Sequence, residues 1–146
     1  MAFLDLIPGT SSSSPHNFAV VGERLYFAAD DGANVTALWS TDGTPAGTTK
    51  LLSFLGSGYA QPDLIQLTAV GSRQLFFGTL YGAVFGNELW RSDGTPGGTM
   101  RVKDINPGVN DANPTSLTNV AGTLYFTASN GAGGALYKTD GTLGGT

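Results

Sequence analysis

The chain has 146 residues, 40% of them hydrophobic and 12% charged, with a net charge of −4. That is enough for one ordinary domain with a core, while its 7 scattered basic residues offer no clustered patch for nucleic acid and no apolar run approaches the ~20 residues of a membrane span. There is no cysteine, which excludes disulfides and thiolate metal sites and leaves the redox compartment open.

In chain order, Phe3-Leu4-Asp5-Leu6-Ile7-Pro8-Gly9 reads as a strand and its exit. No basic stretch followed by an apolar run precedes it, so no secretion signal is expected here. The run Ser11-Ser12-Ser13-Ser14 is a flexible connection, and His16, the single histidine, is expected as a solvated loop residue. A first unit, 15–56, follows with strands predicted at 18–21, 24–29, 35–40 and 48–54, rich in aromatic and β-preferring residues. A second unit spans 62–107. It carries extra residues at 62–70 and an apolar connection at 78–86 with Leu80, Tyr81, Val84 and Phe85, expected to pack on a neighbouring unit. Its fourth strand is predicted at 99–105, with a bulge or strand end at Ile105. The third unit, 114–146, has strands predicted at 116–120, 123–128 and 135–139.

Two markers fix the period. Leu25-Tyr26-Phe27, Leu75-Phe76-Phe77 and Leu124-Tyr125-Phe126 are one. The other is Leu38-Trp39-Ser40-Thr41-Asp42-Gly43-Thr44, then Leu89-Trp90-Arg91-Ser92-Asp93-Gly94-Thr95, then Leu136-Tyr137-Lys138-Thr139-Asp140-Gly141-Thr142. Successive copies lie roughly fifty residues apart, a spacing typical of propeller blades, solenoid turns or arrays. The 22 glycines and 7 prolines leave no room for long helices. The fold class expected is all-β, with propeller-type repeats of three four-stranded antiparallel blades. Residues 1–9 are out of phase and match Val102-Lys103-Asp104-Ile105-Asn106-Pro107-Gly108, so they are expected to complete the third blade as its fourth strand. Three blades make a small ring. Two chains would make a six-bladed homodimer with no open edge at its seams.

In the repeated turn, Asp42, Asp93 and Asp140 suit the first position, where a carboxylate accepts backbone N–H bonds two residues on. Gly43, Gly94 and Gly141 supply positive φ, and Thr44, Thr95 and Thr142 offer a hydroxyl to tie the loop. These nine residues are read as turn-structuring. Trp39, Trp90 and Tyr137 share one position. They are expected between blades, the sharper alternative being a stacking platform for a sugar.

The string Glu88-Leu89-Trp90-Arg91-Ser92-Asp93-Gly94-Thr95, with Gly98-Thr99 and 102–108 behind it, resembles the bacterial repeat family named for its Glu-Leu-Trp-x-x-Asp-Gly-Thr signature. Ala37 and Ala135 replace the glutamate in the other copies, and Tyr137 replaces the tryptophan. The resemblance covers nearly the whole chain. It implies propeller-like repeats in secreted or surface-associated bacterial proteins, with no assigned activity.

Chemistry beyond the turns is sparse. Asp30 and Asp31 in one loop, and Asp104 and Asp111 in another, are candidate calcium ligands. Calcium wants six to eight oxygens, so solvated carboxylates are the simpler expectation and no cofactor is required. Ser14 and His16 carry no mark of a catalytic set. Glu23 and Glu88, the only glutamates, fall at non-equivalent positions and do not form the pair glycoside hydrolysis needs. Gly131-Ala132-Gly133-Gly134 lacks the lysine of a phosphate loop. The expected function is a non-enzymatic structural or interaction module of a bacterial surface or secreted protein, self-assembling as a homo-oligomer by strand exchange. A carbohydrate-binding lectin-like module and a calcium-stabilised adhesion module are the alternatives.

Overall fold

The computed structural model describes residues 4–9, 11–33, 35–54, 62–80 and 86–146. Among them are eleven strands and no helix. The first sheet is β1 (His16–Val21), β2 (Arg24–Asp30), β3 (Thr36–Thr41) and β4 (Thr49–Ser53). The second is β5 (Asp63–Val70), β6 (Gln74–Leu80), β7 (Leu89–Ser92) and β8 (Met100–Arg101). The third is β9 (Thr115–Val120), β10 (Thr123–Ser129) and β11 (Gly134–Thr139). Each is an antiparallel meander in chain order, its first two strands joined by a two- or three-residue hairpin turn.

The period of two along each second strand decides how the sheets stack. On β6, Leu75 and Phe77 point into a core shared with Tyr26, Ala28 and Leu38 of the first sheet. Phe76, between them, points the other way, into a core shared with Leu124, Phe126 and Ala128 of the third. The second sheet is therefore sandwiched between the other two. Each of these phenylalanines is fully buried, worth about 1.5–3 kcal/mol apiece in apolar transfer.

The sheets approach most closely at their first strands, β1 by β5 and β5 by β9. Each first strand carries a bulge at the same place. Asn17, Gln66 and Ser116 take left-handed φ values of 53°, 54° and 57°, at register breaks in all three pairings. Non-glycine residues rarely adopt that conformation without compensation. Here the bulge swings a side-chain amide onto the next sheet. Asn17 Nδ2 donates to the Leu64 carbonyl at 2.6 Å, and Gln66 Oε1 accepts from Leu117 N at 3.0 Å.

The structure differs from the sequence expectations at the fourth strands. The fourth strand predicted at 99–105 is only Met100–Arg101 long. Val102 N still bonds the Leu89 carbonyl at 2.9 Å, but the backbone then turns inward, and Ile105 N and Asn106 N donate to the Glu88 carboxylate at 3.1 and 3.0 Å. Within the single chain the third sheet has three strands. Residues 4–9, the described part of the stretch expected to complete a third blade, form no strand and lie against the first sheet of their own chain. Leu6 shares a cleft there with Trp39, and a β-carbon on Gly32 would stand 3.3 Å from Ile7. Leu4 and Leu6 there follow the apolar surface offered by Trp39. Met1 to Phe3, and Tyr81, Val84 and Phe85 of the apolar connection, lie outside the described residues, while Leu80 ends β6.

Candidate functional site

The three Asp-Gly-Thr turns fold alike because one carboxylate oxygen, the hydroxyls and the turn N–H groups find partners within a few residues. Asp42 Oδ1 accepts from Thr44 N at 2.9 Å and from the Thr44 hydroxyl at 2.7 Å. Thr44 Oγ1 in turn accepts from Gly47 N at 2.9 Å. The Thr48 hydroxyl donates to the Thr44 carbonyl at 2.6 Å, so its contact with Thr41 Oγ1 at 2.7 Å must receive the Thr41 hydrogen. Thr41 Oγ1 then accepts from Gly43 N at 2.9 Å. The same network is present around Asp93, with Ser92 standing for Thr41, and around Asp140. The Thr44 hydroxyl, then the backbone N–H, hold the Asp42 carboxyl below the ordinary aspartate range. The equivalent bonds from Thr95 and Thr142 do the same for Asp93 and Asp140.

Two parts of this turn were not read from the sequence. Gly47, Gly98 and Gly145 lie directly under the aspartate carboxylates, so an added β-carbon would overlap the acid. The second threonine closes the hydroxyl chain. The signal for both was the full Asp-Gly-Thr-x-x-Gly-Thr spacing, constant in all three copies.

Trp39, Trp90 and Tyr137 each face the strip of chain that leaves the preceding repeat. Trp90 is 9% exposed, and Phe54 meets it edge-on with centroids 5.1 Å apart. Tyr137 stacks on Phe126 at 5.5 Å and packs on the core that holds Ile105. Trp39 is half-buried and lines a cleft with Leu4, Leu6, Pro45 and Thr48. Leu6, Phe54 and Ile105 thus serve one role.

The candidate calcium ligands are separately engaged. Asp30 Oδ1 accepts from Gly32 N at 2.7 Å. Asp31 accepts from Ala33 N, Lys50 Nζ and the Ser53 hydroxyl at 3.1, 3.0 and 2.8 Å. Asp104 pairs with Arg101 at 3.2 Å, and Asp111 Oδ1 accepts from Asn87 N at 2.8 Å. Among the described residues no three acidic or imidazole groups converge.

His16 is not simply solvated. Its Nδ1 meets the Ser14 carbonyl and its Nε2 the Asp63 carboxylate, each at 2.8 Å. Both partners are acceptors, so protonated His16 can donate from both ring nitrogens and join β1 to β5. Its pKa is raised: burial lowers it, but the Ser14 carbonyl and the Asp63 carboxylate outweigh that. Ser14 stays an exposed turn residue with φ 43°. Glu88, also passed over, is fully buried. Burial pushes its carboxyl above the ordinary glutamate range, against the two backbone N–H donors that favour its charge. Glu23 is exposed, in the turn between β1 and β2. The clefts between sheets open on the turns. One, of about 530 Å³, is lined by Arg91, Arg101, Lys103, Asp104, Thr142 and Leu143.

No protein-family model matches the chain, and comparison with curated proteins and with solved structures likewise returns no match.

Proposed function

We propose that this chain is a non-enzymatic structural and interaction module, a propeller-type repeat of the Glu-Leu-Trp-x-x-Asp-Gly-Thr kind whose partner is another copy of itself. Its place is outside the cell or on its surface, within a bacterial parent protein. The observation that carries this reading is the closure of the repeated turn on itself. Asp42, Asp93 and Asp140, the most regular chemistry in the sequence, each hold their own threonine through one carboxylate oxygen. A residue repeated for catalysis or metal binding would aim that valence outward. The finer architecture proposed is a ring of six blades from two chains.

Glycan-array binding and a hydrolase substrate screen, run on the wild type and Trp39→Ala, test the reading. Blank results for both support it. Saturable glycan binding lost in Trp39→Ala, with circular dichroism unchanged, replaces it with the carbohydrate-binding reading. A melting temperature that rises with calcium and falls with chelator would favour the adhesion module.

A further inference from the structure

We infer that the outer faces of the first and third sheets are the two halves of one head-to-tail interface, and that a second copy of this chain occupies each. This rests on the module reading above and names its contact surface. The argument is that one interface, made twice inside the chain, is presented a third time with its two sides apart.

Three positions face the following sheet. Leu38 and Leu89 are 0% exposed, whereas Leu136, three residues before the same turn hydroxyl, is 72% exposed. Val21 and Val70 are 4% and 6% exposed, whereas Val120, at the same hairpin position, is 52% exposed. Tyr26 and Phe76 are buried, whereas Tyr125 is only partly covered. The third sheet therefore presents the apolar surface that the first two hide.

The opposite side repeats as well. Leu67 and Leu117 pack on the core of the sheet before them, but Phe18, their counterpart, is 58% exposed. The turn glycines give the closest match. A β-carbon on Gly94 would stand 2.5 Å from the Tyr26 hydroxyl, and one on Gly141 would stand 3.1 Å from Phe76. Gly43 has nothing within 4 Å. The ring missing over Gly43 is the one Tyr125 offers.

Residues 4–9 fix the register. Asp30 N donates to the Ser13 carbonyl and Ser129 N to the Ala112 carbonyl, both at 2.8 Å. Gly32 faces Ile7 as Gly131 faces Asn106. Leu6 stands by Trp39 as Ile105 stands in the core of Tyr137. The first sheet thus already carries the exit strip of a preceding repeat, in the place where 103–108 lies against the third. A further sheet stacked there would be seated alongside that strip. The edge of β11, which no described strand pairs, is an open pairing edge on the same sheet. The interface is heterologous, first face to third face, and closes when two chains meet at two seams.

Light scattering on a sizing column tests this with two variants at exposed positions, Phe18→Asp and Leu136→Asp. The wild type is expected at twice the 15.0 kDa chain mass. Each variant alone is expected at one chain mass with circular dichroism unchanged, since both side chains are exposed within the chain. Their equimolar mixture is expected to recover a two-chain species, because each variant keeps the face that the other has lost. Assembly that survives Phe18→Asp but not Leu136→Asp means that third sheets pair with each other, and overturns the inference. A folded wild type at one chain mass overturns it too, and with it the self-partner of the module reading, but leaves the non-enzymatic part of that reading standing; that part falls instead to glycan binding or turnover.

Discussion

The carboxylate of Asp93 stands over the α-carbon of Gly98, where any β-carbon would fall inside it. Gly98→Ala must push Asp93 off the Thr95 amide and hydroxyl. The expected cost is about 1–3 kcal/mol, the range for losing such bonds, read by urea denaturation. In Asp93→Ala the same glycine change should cost far less, and a double-mutant cycle measures that coupling. Because the Thr95 bonds lower the folded-state pKa of Asp93, its contribution is present above the ordinary aspartate range and is lost as pH falls through the lowered value. Asp93→Ala should flatten that part of the acid-stability profile.

Glu88 holds the exit of the second sheet through Ile105 N and Asn106 N. Glu88→Ala leaves one buried donor, Ile105 N, and one part-buried donor, Asn106 N, without their acceptor and should cost about 1–3 kcal/mol. Equilibrium denaturation checks the magnitude. Since burial raises the folded pKa, the wild type should lose stability as pH rises from the ordinary glutamate range through that raised value. That slope should vanish in Glu88→Ala.

His16 joins β1 to β5 most strongly as an imidazolium, which donates to both acceptors. Burial lowers its pKa, but the Ser14 carbonyl and the Asp63 carboxylate outweigh that, so the folded value lies above the ordinary histidine range. Its stabilisation is present in full below that range and is lost as pH rises through the folded value. The melting temperature should fall across that window in the wild type and stay flat in His16→Gln. An unchanged slope in the variant would remove His16 from this role.

Trp90 fills the gap between the first and second sheets against Phe54. Trp90→Ala should cost about 3–5 kcal/mol, as for large core aromatics. Trp39 is half-buried and lines an open cleft with Leu4, Leu6, Pro45 and Thr48, so Trp39→Ala should cost less in the single chain. Chemical denaturation of both variants, side by side, compares the two positions.

The strands were legible wherever neighbours in sequence decide the outcome. Period-two alternation around Leu25-Tyr26-Phe27 and its two copies marks the second strands, and the turn chemistry of Asp-Gly-Thr marks the third-strand exits. The stretch 99–105 misled because its alternation resembles a strand, while the buried Glu88, seventeen residues back at Ile105, captures its backbone. The role of His16 was hidden for the same reason: Asp63 lies 47 residues away in sequence.

By itself the sequence determined the unit, because hairpin turns, hydroxyl networks and alternating faces are settled within a few residues. Only the tertiary structure decided which face of each sheet meets which neighbour, and that residues 4–9 lie on the first sheet rather than along β11. Those outcomes depend on burying apolar surface between segments far apart in the chain. A matching strand pattern says what such a segment can pair with, but the nearest unburied face decides where it goes.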